Sequence, residues 1–273
     1  MIDDINPARG PGRSRRRRRL AVLVDDDALE QLRARLLRAR ESPEAIALLD
    51  AAREHLDVAL AATGEPARAR ATLWRALDAA YDAVDRYLEL LARAAEVPVR
   101  CGPGCAACCT EAPPVHAIEG LRLARALLER ADGGERVQRA VDQARAFQAM
   151  LLARAQAAGA DHVMTRTRLY RETQEQWRRS GRSCPVLGAD GRCSAYAARP
   201  LACRVYVSVD DPAKCDPRHP GFATLRRPAL WASERERSVE RQLARLGSAL
   251  SLPAAPNLQW AVAQLHDHPL TSS

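Results

Sequence analysis

Large aromatic rings are scarce in this sequence: they make up 4% of its 273 residues, with two Phe in all. Strands favour aromatic and β-branched residues, so a chain this poor in rings and this rich in Ala, Leu and Arg points to helices packed through small side chains. A sandwich or barrel is not expected. Long apolar runs are missing too. No stretch approaches the 18 or so residues needed to span a bilayer, so no membrane insertion is expected. Arg15 to Arg19 followed by Leu20-Ala21-Val22-Leu23-Val24 has the outline of a twin-arginine or secretory signal. Its apolar part is five residues long and ends at Asp25-Asp26-Asp27, short of the roughly 7–15 residues of an export segment. The expected location is cytoplasmic. H-E-x-x-H, a nucleophile elbow, a Walker loop and a dinucleotide fingerprint are all absent, so no common hydrolase or nucleotide chemistry is indicated.

Negative charge is less scarce than the formal net charge of +8 suggests. Met1 to Arg19 carries seven Arg against two Asp, which leaves about +3 on the remainder. Eight cysteines bound to metal as thiolates would turn that remainder negative. Specific nucleic-acid binding is therefore not expected from the basic pI. The segment 1–19 reads as a disordered basic tail.

What is present is helical periodicity. Asp26 to about Leu36 is helix-compatible, and Pro43 opens a second helix through Leu60, since proline suits a first turn. Leu73, Leu77, Tyr81, Val84, Leu88 and Leu91 then recur every three or four residues, with charged residues between them, and predict a long amphipathic helix. Further helices are predicted from Pro113-Pro114 to Leu128, from Val137 to Gly159, and from His162 to Trp177 with Gly181 as its stop. Ser233 and Glu236 form a capping box ahead of Val239, Leu243 and Leu246, and Asn257 caps a closing helix carrying Trp260, Val262 and Leu265. The expected fold is mainly α, an irregular helical domain with cysteine-rich metal-binding loops. Its expected divisions are a tail 1–19, an N-terminal helical region 20–99, a cysteine-cluster core 100–220 and a C-terminal helical extension 221–273.

All eight cysteines fall in two blocks. The first holds Cys101, Cys105, Cys108 and Cys109, with Gly102, Pro103 and Gly104 permitting a sharp turn; the second holds Cys184, Cys193, Cys203 and Cys215 at wider spacing. In a reducing compartment, such grouping speaks for metal or redox chemistry rather than structural disulfides. Soft thiolates suit zinc, copper(I) or iron–sulfur iron. The arithmetic allows two four-thiolate sites, or one four-thiolate cluster with four further thiols. Asp190-Gly191 predicts a tight turn between Cys184 and Cys193, with Gly191 left-handed. Arg199 and Arg204 are placed to neutralise cluster charge, and Tyr196 to donate a hydrogen bond or to pack. His116 and His219 lie near the blocks as further ligands or as ordinary polar residues.

The pattern C-x3-C-x2-C-C, then C-P-x-L-x2-D-G-x-C-S-x-Y-x2-R-P-x-A-C-R and a trailing cysteine, resembles the bacterial YkgJ-type cysteine-cluster family, described as zinc- or iron-chelating. The resemblance covers about Cys101 to Cys215. It implies that all eight cysteines sit at chelating positions, although the first spacing is three residues where two is common in the family. It also covers Tyr196, Arg199 and Arg204. The expectation that follows is a cysteine-ligated iron–sulfur cluster, of 4Fe-4S type or another, in redox service or supporting a modification reaction. The alternatives are a zinc-stabilised protein-interaction module and, through a more distant similarity to flagellin lysine methylases, an S-adenosylmethionine-dependent protein lysine methylase. A protein partner or protein substrate is implied in each case, without an identity.

Overall fold

The computed structural model describes residues 26–64, 69–102, 104–158, 166–228 and 230–271. The expected basic tail 1–19 lies outside the described residues.

The chain is built almost wholly of helices. Helix α1 (Asp26–Arg40) buries Leu32 and Leu36, and Arg35 Nε donates to the carbonyl of Ala95 at 2.8 Å, fixing α1 to the far end of the third helix. It runs four residues beyond the expected Leu36, because Ala39 and Arg40 are still buried. Helix α2 (Pro43–Ala61) starts as predicted: Ser42 Oγ accepts from Ala45 N–H and Pro43 fills the first turn. Its buried face is Ala45, Leu49, Ala52, Leu56 and Ala59, a stripe of alternating small and large residues at helical spacing. Small residues let α2 lie close along α3 (Ala69–Ala94), whose predicted positions Leu73, Leu77, Tyr81, Val84, Leu88 and Leu91 are all buried.

Helix α4 (Ala117–Leu128) is central. Ile118, Leu121, Leu123, Ala124 and Leu127 are buried on more than one side of it, and so are the charged Glu119 and Arg122. A helix apolar nearly all round belongs inside a bundle. Helix α5 (Gly133–Ala157) packs beside it and helix α6 (Arg166–Arg179) packs on α5, with Phe147 and Trp177 meeting edge to face at 5.6 Å between ring centroids. The start predicted for α6, at His162, lies outside the described residues. Gly181 follows α6 at φ +68, as a left-handed stop requires. A short α7 (Leu201–Val205) carries Cys203. The Ser233/Glu236 capping box opens α8 (Glu234–Ala249), and Asn257 Oδ1 accepts from Trp260 N–H at 3.0 Å to open α9 (Leu258–Leu265).

Among the described residues no sheet is present, only one isolated bridge between Leu187 and Cys193. The mainly α expectation holds, while metal-binding character of the loops is not established by the fold. No helix among the described residues is long and apolar enough to cross a membrane. One large core runs through the molecule, with Leu49, Leu77, Leu91, Leu121, Leu201, Val209 and Leu243 all in it.

Candidate functional site

The first cysteine block leaves α3 through Glu96 at φ +51, and Arg100 N–H then donates to Ser208 O at 3.0 Å, which lays 100–102 beside 206–208. Successive tight turns follow: Cys105 N–H to Gly102 O, Cys109 N–H to Ala106 O and Glu111 N–H to Cys108 O, at 2.9, 2.9 and 3.1 Å. Gly104, at φ +90, occupies a conformation that side chains strain to reach. The second block joins the first through its backbone, since Cys184 N–H donates to Cys109 O at 2.5 Å.

Between Cys184 and Cys193 the chain makes the predicted turn. Gly191 sits at φ +74, its N–H donates to Gly188 O at 3.0 Å, and Asp190 Oδ1 accepts from Arg192 N–H at 3.0 Å. Arg136 of α5 clamps this turn by donating to Val186 O and Leu187 O at 3.2 and 3.1 Å. It is itself held by Asp132, whose carboxyl is drawn down to about 2 by that partner.

All eight cysteines are free thiols, in differing surroundings: Cys203 is exposed, Cys215 buried, the others between. Cys101 Sγ accepts from Ser208 N–H at 3.2 Å, and the Ser208 side chain hydrogen-bonds Cys215. The Cys108 thiol hydrogen-bonds the adjacent Cys109 sulfur; that bond first, and burial second, push Cys108 far above the ordinary thiol range. Burial pushes Cys184 and Cys203 up to about 12 and Cys215 up to about 11. Cys203 shares this despite its exposed area because protein closes round its sulfur on the other sides. Burial raises Cys101 and Cys193 as well.

Cys108 is the common neighbour. Its charge is felt by Cys101, Cys184, Cys203 and Cys215, which come from both blocks. Three arginines oppose the upward push, Arg136 on Cys193 among them. Arg199 acts on Cys193 and Cys203, and Arg227 on Cys101 and Cys215.

The expected metal centre needs correction. Among the described residues, no three side chains of His, Cys, Asp or Glu are disposed to hold a metal ion. The sulfurs approach closely enough to feel one another, but they are turned to local partners, Ser208 for Cys101 and Cys215, and Cys109 for Cys108, instead of to one point. An iron–sulfur cluster of 4Fe-4S or other type, and zinc as its alternative, therefore find no converging ligand set here. The functions expected on that basis, a metal-binding redox or modification-supporting centre and a zinc-stabilised interaction module, are corrected with it.

The three residues expected beside the centre are placed as follows. Arg204 is buried, with hydrogen bonds to Arg199 O at 2.9 Å and Ala197 O at 2.6 Å and an ion pair with Asp85 of α3. Arg199 reaches the same Asp85 at 3.6 Å and lies over the Tyr196 ring at 3.8 Å, and Tyr196 is 43% exposed. His116 precedes α4, its N–H held by Glu119, and His219 Nδ1 accepts from Gly221 N–H at 2.9 Å.

Four residues near the thiols are not among the site residues the sequence singled out. Ser208 and Arg227 contact or charge-couple to Cys101 and Cys215. Glu111 binds Arg178 at 2.6 Å and Tyr206 at 3.0 Å. Glu119, 2% exposed, accepts from Tyr81 and from Leu201 N–H at 2.7 Å, so it sets the start of α7 and with it Cys203. A buried carboxylate at the third residue of a capping box was the one available hint.

A family model for the cysteine-cluster pattern CxxCxxCC, described as "Putative zinc- or iron-chelating domain", matches residues 100–220. No curated protein and no solved structure matches the chain significantly. Nothing in these comparisons supports the expected link to flagellin lysine methylases or an S-adenosylmethionine-dependent reaction.

Proposed function

We propose that the chain is a thiol–disulfide exchange module, with Cys109 as the attacking sulfur and Cys108 as the thiol that resolves the mixed disulfide. The observation that carries this reading is the tight turn that sets Cys108 and Cys109 side by side, with Cys109 O joined to the second block by Cys184 N–H at 2.5 Å. In the forward direction Cys109, having lost its proton to solvent, attacks one sulfur of a partner protein's disulfide. The partner's S–S bond breaks, and its second sulfur leaves as a thiolate that takes up a proton. Cys108 then loses its proton to solvent and attacks Cys109; a Cys108–Cys109 disulfide forms, and the partner's first sulfur leaves as a thiolate that takes up a proton. The module ends with one disulfide, and the partner gains two electrons and two protons. Raised thiols make the exchange slow at neutral pH, because the thiolate is the nucleophile and is scarce there.

The test counts thiols by alkylation and mass spectrometry on protein purified without oxygen, before and after a small excess of diamide. Thiols are expected to disappear in pairs, to return with dithiothreitol, and to be lost more slowly in Cys109→Ser. Eight thiols surviving the oxidant, or thiols that alkylate only after a chelator has stripped a metal, would overturn the reading.

A further inference from the structure

A cavity of about 480 Å³ opens at the turn of the second block, with Arg130, Arg136, Asp190, Arg192 and Cys193 in its wall. Its volume is that of a site for a small organic molecule. Its charge is net positive: three guanidinium groups line it against the carboxylate of Asp190, and Asp132 pairs with both Arg130 and Arg136. Arg136 is fixed by two backbone carbonyls, so its charge cannot swing away. Arg192 is exposed and has no carboxylate partner among the described residues. Arg136 and Arg199 both act on the Cys193 sulfur. Cys193, the sulfur in the wall of this cavity, thus has guanidinium charge close to it.

Resting on the thiol-exchange reading, we infer that this cavity receives a carboxylate-bearing low-molecular-weight disulfide, and that Cys193 takes the mixed disulfide. Arg192 would bind a ligand carboxylate, where a planar fork of donors matches an anionic oxygen pair, while Arg130 and Arg136 line the wall already held by Asp132. In the step itself the Cys193 thiol loses its proton to solvent and its sulfur attacks one sulfur of the ligand. The ligand's S–S bond breaks, a Cys193–S bond forms, and the departing half leaves as a thiolate that takes up a proton. Oxidant and leaving group are both supplied by the ligand.

Reduced protein is incubated separately with glutathione disulfide and with the uncharged bis(2-hydroxyethyl) disulfide, and adducts are mapped by peptide mass spectrometry over time. Glutathione disulfide is expected to modify Cys193 first. Arg192→Glu, a change at an exposed side chain, is expected to slow that reaction roughly tenfold and to leave the uncharged reagent's rate at Cys193 within about twofold. A first adduct on another cysteine, or an Arg192→Glu effect equal for both reagents, overturns the assignment. Diamide run alongside separates the two proposals: paired thiol loss without charge-selective modification of Cys193 sinks only the cavity, whereas no thiol loss with diamide sinks the exchange module.

Discussion

Glu236 has no exposed surface and accepts hydrogen bonds from Arg40, Tyr87 and the backbone N–H groups of Ala232 and Ser233. Replacing it with Ala removes a carboxylate from the buried Arg40 and the hydrogen-bond acceptor that holds the start of α8. Glu236→Ala is expected to cost about 3–5 kcal/mol, read as a lower urea midpoint. Among the thiols, the raised values of Cys184, Cys203 and Cys215 predict slow alkylation at neutral pH, accelerating about tenfold per pH unit up to about pH 10 as thiolate accumulates. A rate flat in pH at these three sites would contradict their burial. At this scale the sequence showed which residues carry sulfur but not where each sulfur points. Arg199 and Arg204 illustrate the gap, being five residues apart in one motif. Both pair with Asp85, but Arg204 is buried there while Arg199 also bears electrostatically on the thiols. Asp85 lies in α3, and nothing local in the motif announces it.

Helix boundaries were easier to read, because their causes are local. Ser42-Pro43, Ser233 with Glu236, and Asn257 are chemical start signals that act within four residues, and all three open helices where expected. Which faces meet is less local. Gly120 of α4 has no side chain because a Cβ there would stand 2.3 Å from that of Ala261 in α9. Gly120→Ala is expected to pry α4 from α9 at about 1–3 kcal/mol, measured by chemical denaturation. Adding Ala261→Gly should return most of that loss, and a pair of changes that merely adds would show that the two helices do not meet there. No inspection of residues 117–128 alone reveals this restriction, since the partner enters some 140 residues later in the sequence.

For the molecule as a whole, buried thiols tie stability to alkaline pH. Cys184, Cys203 and Cys215 hold their protons up to about 12, 12 and 11 when folded, against 9.0 when free. Such groups contribute in full below about pH 9, and their contribution is lost as pH rises through 11 to 12. The buried Tyr81 and Tyr87 act in the same direction. Tm is therefore expected to fall steadily above about pH 9, and Cys184→Ser should make that fall shallower. The large core, for its part, disregards the limits of the matched segment. Ile118, Leu121, Leu201 and Val209 lie within 100–220, yet they are packed in one core with Leu49, Leu77 and Leu91 before it and Leu243 after it. Residues 100–220 are consequently not a portable unit. Severed from its neighbours or grafted into another protein, that stretch would carry a bare apolar flank and should be insoluble, unless the missing helices are supplied in trans to close over it.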